Sequence, residues 1–128
     1  MSNVPVNKAQ CTGPTIQDDI FSIVARFRTY PCVLTGNIET IYRCVWVHPN
    51  HRRYQSISWR YKSTDPIQSY VLNTVAYGTT TAPFLAVRSS YQCGINNETQ
   101  FPAESHIIKE DFYVDDLLTG PDSREQLF

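Results

Sequence analysis

Apolar positions along this chain change period several times, and each change predicts an element. Ile16, Ile20, Ile23, Val24 and Phe27 recur three or four residues apart, the stripe of a helix packed by one face. Pro14-Thr15 opens it. Thr15 has a capping hydroxyl, Asp18 and Asp19 suit the positive end of the helix dipole, and Arg26 and Arg28 suit its last turn. Pro31 stops it. Cys32 to Ile38 reads as a strand, and Glu39 to Val45 fits a short helix. His48-Pro49-Asn50-His51 is turn chemistry; its H-x-x-H spacing would suit a metal on a regular helix, which Pro-Asn forbids. Tyr54 to Tyr61 alternates with the strand period, Ser63 to Pro66 turns the chain, and Ile67 to Tyr77 returns antiparallel. Gly78 to Pro83 ends that strand. Pro83 suits the first turn of a helix through Leu85, Val87, Arg88 and Tyr91. Gly94 to Pro102 reads as a polar loop, and His106 to Asp111 leads into the last element.

That element is Phe112-Tyr113-Val114-Asp115-Asp116-Leu117-Leu118, two carboxylates between two apolar arms. It predicts a hairpin whose turn carries the acids. Strand neighbours point to opposite faces, so both acids converge only where the chain turns. Adjacent carboxylates in a turn repel unless a cation sits between them, and Mg²⁺ and Mn²⁺ take such oxygen ligands. The plain alternative is an acidic surface turn. The order helix, strand, short helix, two strands, helix, hairpin predicts an α+β fold, an antiparallel sheet with helices packed on one face. The strand bearing Asn37 can lie beside the hairpin, bringing Asn37, Asp115 and Asp116 to one open sheet edge.

Length and composition narrow the classes. A chain of 128 residues suits one domain, and 41% hydrophobic with 18% charged residues predicts a packed core rather than disorder. A net charge of −1 supplies no overall field for nucleic acid, and the pairs Arg26/Arg28, Arg52/Arg53 and Arg60/Lys62 read as solvated faces. Cysteines at 11, 32, 44 and 93 match no zinc-ligand spacing; Cys32 and Cys44 read as small buried hydrophobes. There is no signal-peptide pattern and no apolar run near the ~18 residues of a membrane span, so the expectation is a cytoplasmic protein with reduced thiols and no membrane partner. Asn97-Glu98-Thr99 is then a chance match to a glycosylation acceptor.

Tyr113-Val114-Asp115-Asp116 resembles the YxDD motif of reverse transcriptases. It does not stand alone. "GPTIQDDIFSIVARFR" (13–28), "VLTGNIETIYR" (33–43), "HPNHRRYQSISWR" (48–60), "YVLNTVAYGTTTAPFLAVR" (70–88) and "IKEDFYVDDLLTG" (108–120) occur in the order seen in the BEL/Pao group of LTR retrotransposons. The resemblance covers roughly residues 13–122. It implies a polymerase palm over that range, while the polar, irregular residues 1–12 read as a flexible arm and 123–128 as a tail. It implies RNA-directed DNA synthesis by a two-metal mechanism with Mg²⁺ or Mn²⁺, a nucleic-acid template-primer and a dNTP as partners. Asp115 would hold the divalent ions, with Asp116 beside it. Tyr42 would be the aromatic gate under the incoming sugar. Tyr77 and Gly78 would lie by the nucleotide and template, and Tyr113 would touch the primer end. Ordinary packing is the alternative for all three tyrosines.

The resemblance breaks at one position. The family pattern "LTxDIExxYR" reads here Leu34-Thr35-Gly36-Asn37-Ile38-Glu39-Thr40-Ile41-Tyr42-Arg43, with Asn37 where the first catalytic Asp should stand. Two-metal phosphoryl transfer uses carboxylates to hold ions ~3.5–4 Å apart. Asparagine offers one neutral carbonyl oxygen and removes a full negative charge. Glu39 could substitute only if local geometry brought it to the site. Few basic residues precede Gly13 for a triphosphate clamp, and few residues follow position 122 for a thumb. The expectation is therefore a fragment inactive by itself and weak on nucleic acid. Its alternative is a non-enzymatic nucleic-acid or protein interaction module derived from the palm, with self-association or polyprotein neighbours as partners. A third reading is an unrelated metal-binding α+β domain that keeps only Asp115 and Asp116.

Overall fold

The computed structural model describes residues 4–121 and 123, and the tail expected at 123–128 otherwise lies outside them. Helices alternate with antiparallel strands: α1 (Val6–Ala9), α2 (Ile20–Phe27), β1 (Leu34–Asn37), a 3₁₀ turn (Ile41–Cys44), α3 (Pro49–Arg52), β2 (Ser56–Trp59), β3 (Gln68–Val71), α4 (Ala82–Asn97), α5 (Pro102–Glu110), β4 (Phe112–Tyr113) and β5 (Asp116–Thr119). The class is α+β. The strands form two sheets rather than one, a three-stranded sheet of order β1-β5-β4 and a separate β2-β3 ribbon. All pairings are antiparallel, including the one expected between the strands around Ser63–Pro66.

Local chemistry explains where the elements begin and end. α2 starts at Ile20, later than the expected Thr15, because Asp19 takes the cap. Its carboxylate accepts from the Ser22 backbone N–H (3.0 Å) and hydroxyl (2.8 Å). Those two bonds hold the Asp19 carboxyl below the usual range. α3 shows that His48-Pro49-Asn50-His51 does make one helical turn. Proline is harmless at a first helical position, and His48 Nδ1 accepts from the Asn50 N–H at 3.3 Å. α4 runs on into the first part of the expected polar loop and ends at Asn97. α5 occupies the stretch read only as a lead-in to the hairpin. These two helices meet at Gly94 and Ser105: the Ser105 hydroxyl donates to the Gly94 carbonyl, and a Cβ at 94 would lie 3.2 Å from Lys109 Cγ. A polar residue thus fills an inner helix position, which apolar periodicity does not reveal.

The core is small. Ile23, Ile41, Val75, Ala82 and Ala86 are its buried apolar members. Asp111 and Thr119 are buried beside them and bonded to each other, Thr119 Oγ1 donating to Asp111 Oδ2 at 2.6 Å. Arg26 Nε reaches Asp111 Oδ1 at 3.2 Å, and another guanidinium nitrogen donates to the Glu110 carbonyl. Tyr30 adds a longer bond from its hydroxyl, 3.4 Å from Asp111 Oδ2. This cluster ties α2 to the terminal hairpin. Arg26 is accordingly a structural cation and not part of a solvated face. Cys44 is exposed and Cys32 half-buried, so neither is the buried hydrophobe expected, and all four thiols are free.

The segment expected as a loose arm carries α1 and is bonded to the loop after Tyr77. Asn7 Nδ2 donates to the Gly78 carbonyl at 3.1 Å, and the Thr80 hydroxyl donates to the Asn7 carbonyl at 3.2 Å. No described helix is long and apolar enough to cross a membrane.

Candidate functional site

The acidic hairpin forms as its sequence predicts, with one refinement. Tyr113 pairs with Asp116, so the turn residues are Val114 and Asp115, and Asp116 is already the first residue of β5. A two-residue hairpin turn needs positive φ at its first position. Val114 supplies it at φ 58°, an unusual conformation for a β-branched side chain. Its N–H is held by Gln17 Oε1 at 3.2 Å, a contact that no local pattern discloses. The other non-glycine residue with positive φ among those described is Thr40, at 54°, between Asn37 and Tyr42. Both strained positions therefore flank the same group of side chains, as is common at functional turns.

β1 and β5 bring the predicted polar residues together. Asn37 is the register partner of Asp116, and its Nδ2 donates to Asp116 Oδ1 at 3.1 Å. The Ile38 N–H donates to the Asp115 carbonyl at 2.8 Å. One end of the three-stranded sheet thus gathers positions 37, 115 and 116, rather than an open edge, because Asp116 lies on the central strand. Asp115 also lies close enough to Tyr42 to act on it. Burial first, and then the negative charge of Asp115, push the Tyr42 phenol above its ordinary range. Tyr42 meets Tyr77 edge to face, ring centroids 4.9 Å apart and planes at 78°. The Arg43 guanidinium stands 5.7 Å from the Tyr77 ring centre. Gly78 follows with φ +77°, a conformation that favours glycine and lets the loop turn toward Asn7.

Tyr113 is half-buried and lines a neighbouring cavity of about 370 Å³ with Gly13, Gln17, Phe84 and Val114. A larger cavity of about 450 Å³ lies between the 4–10 segment and the β2–β3 side, lined by residues such as Val6, His51, Tyr54 and Leu85. It contains none of the predicted site residues.

The resemblance implies Mg²⁺ or Mn²⁺ at Asp115 and Asp116, held weakly or not at all where Asn37 replaces the acid. The nearest polar partner of Asp116 is an amide N–H, which satisfies one carboxylate oxygen and has no lone pair for a metal. Among the described residues no three His, Cys, Asp or Glu side chains come together as a metal-binding group. Glu39 therefore does not complete a triad with Asp115 and Asp116, and His48 and His51 recruit no third ligand. The residues present do not fit a two-ion centre. Neither protein-family models nor the curated proteins include a match to this chain.

Proposed function

We propose that this chain is a palm segment of a BEL/Pao-type reverse transcriptase whose nucleotidyl-transfer site has lost its metal-bridging acid. The observation that carries the reading is the register Asn37↔Asp116 with its 3.1 Å side-chain bond. In the motif order the family would put an aspartate at position 37, directly opposite the acidic turn. Here an amide fills the place and hydrogen-bonds to the carboxylate that a cation would otherwise neutralise. The Tyr42–Tyr77 pair beside Asp115 supports the same reading, since a nucleotide gate must stand next to the acidic turn.

Phosphoryl transfer draws most of its rate from positioned positive charge around the reacting phosphate. A site with two carboxylates and a neutral amide holds that charge poorly. The native chain is therefore inactive in primer extension with Mg²⁺ or Mn²⁺, and Asn37→Asp is the change that would re-create the acid. Measurable incorporation by the native chain would overturn the inactivity. A gain from Asn37→Asp that disappears on adding Asp115→Asn would support the assignment of both positions.

A further inference from the structure

β2 has a strand on one side only. It pairs with β3, and no other described strand joins that ribbon. The nearby Trp46↔Thr74 bridge lies beyond the end of β3 and leaves β2 untouched. The Leu72 N–H donates to the Gln55 carbonyl at 2.9 Å, which fixes the phase of the ladder. Antiparallel partners alternate between bonded and non-bonded pairs, so Ile57↔Tyr70 and Trp59↔Gln68 are the bonded ones. The main-chain groups of Ser56 and Ser58 therefore point away from β3, toward an edge with no described strand on it. Every residue of β2 is exposed. An open edge of this kind is a template for another extended chain.

The two faces flanking that edge differ. Alternate side chains of a strand take opposite faces. Ile57 and Trp59 stand on one, 46% and 55% exposed, with half-buried Tyr70 beside them. Ser56 and Ser58 stand on the other, and the alternation carries Arg60 to that side. The surroundings are basic. No Asp or Glu occurs between Glu39 and Asp65, while Arg43, Arg52, Arg53, Arg60 and Lys62 do. Among the described residues none of these cations forms an ion pair with a carboxylate.

We infer that β2 takes up an extended acidic segment of a partner protein as an antiparallel third strand of the ribbon. The segment alternates apolar and acidic residues. Its acidic residues stand opposite Ser56, Ser58 and Arg60 and exchange the main-chain bonds with the two serines. Its apolar residues stand opposite Ile57 and Trp59 and cover them. Strand addition draws affinity from main-chain bonds and specificity from alternate side chains. A two-stranded ribbon is marginal in water, and a third strand that extends its apolar face stabilises it. Charge decides the occupant. A second copy would set a basic edge against a basic edge, and like charges across paired strands oppose association. A nucleic-acid strand would need rings and cations on one side, and here they lie on opposite faces. The surface uses neither Asn37 nor the acidic turn, so it stands independently of the polymerase reading.

A peptide of alternating valine and glutamate, titrated into the isotope-labelled full chain, tests this. Amide hydrogen exchange at Ser56 and Ser58 should slow as the peptide binds. Methylating the glutamate nitrogens, which face β2, should abolish binding, and methylating the valine nitrogens should leave most of it; these arms need no change in the protein. Ser58→Pro removes an edge N–H that the ribbon does not use, so β2 and β3 should stay paired while peptide affinity falls about ten-fold. Arg60→Glu should weaken binding by about two- to five-fold and shift the preference to a valine–lysine peptide. The proposal fails if the peptide does not bind at low salt, if a peptide of the same composition in two blocks binds as well, or if both methylations act alike. It also fails if an oligothymidylate slows the same amides as strongly. Self-association in light scattering that Ser58→Pro abolishes would make a second copy the occupant and overturn it as well.

Discussion

Asp111 and Asp116 stand five residues apart on the same terminal hairpin and receive opposite treatment. Asp111 is buried and fully engaged by Arg26, Thr119 and Tyr30. Asp116 is exposed, and its side-chain bond comes from the neutral amide of Asn37. Asp115 adds a second negative charge beside it, which after burial is the next cause of the raised phenol pKa of Tyr42. Among the described residues, the fold has therefore matched the buried carboxylate with a cation and left the acids at the turn with none. Burying a charge is costly unless it is paired internally. Charge at an exposed turn can be left for something outside the chain, and this difference distinguishes scaffold from site.

Breaking the scaffold member should have the largest effect. Arg26→Ala would strand Asp111 in the core, and removing one partner of a buried pair costs about 3–5 kcal/mol. That is a large share of the roughly 5–15 kcal/mol holding a domain folded. Asp111→Ala should cost less, because Arg26 is one-third exposed and can rehydrate. Asp116→Asn should barely change stability. Chemical denaturation of the three variants measures the contrast, and comparable losses at Asp111 and Asp116 would erase the distinction drawn here.

The two acids also differ in how far the sequence discloses them. The turn at Val114–Asp115 is legible because apolar arms bracket it, and the approach of Asn37 follows from packing β1 beside that hairpin. The Asp111 cluster is not legible, since Arg26 lies 85 positions away and nothing local marks the pair. α5 escapes notice for a related reason. Its sequence PAESHIIKE has few apolar residues, and its buried member is Ser105, whose hydroxyl donates to the Gly94 carbonyl. The start of α2 is ambiguous in the sequence because Thr15 and Asp19 both have capping side chains. Only the two bonds to Ser22 decide between them. The division into two sheets has no local signal at all, because β2 and β3 pair with each other by alternation whether or not a third strand joins them.

Placing a third acid at the turn sharpens the comparison. Asn37→Asp would set like charges directly across from each other on paired strands, which costs about 0.2–1 kcal/mol. The melting temperature should fall in the presence of a chelator. Mn²⁺ should then restore it, because a ligand that binds only the folded state stabilises it, by about 2.7 kcal/mol at a hundred times its Kd. The native chain should respond to Mn²⁺ much less. Equal responses from the two proteins would mean that position 37 does not face the cation.

The smallest effect is expected at Tyr42, and it tests whether the turn charge is truly unneutralised. Burial and Asp115 raise its folded pKa above the ordinary value near 10, which the unfolded chain retains. A group with a raised folded pKa gives its full contribution below the unfolded value and loses it as pH climbs through the folded one. Stability should thus decline on the alkaline side, and Tyr42→Phe should remove part of that decline. Asp115→Asn should lower the Tyr42 pKa without returning it to the ordinary value, because burial remains. The difference in phenolate absorbance between native chain and Tyr42→Phe isolates this one tyrosine from the other seven. Added salt should weaken the Asp115 contribution, since Tyr42 is only half-buried and exposed charges are screened. If Asp115→Asn leaves the titration unmoved, the turn carboxylate does not act on the Tyr42–Tyr77 pair, and the acidic turn loses its connection to those two rings.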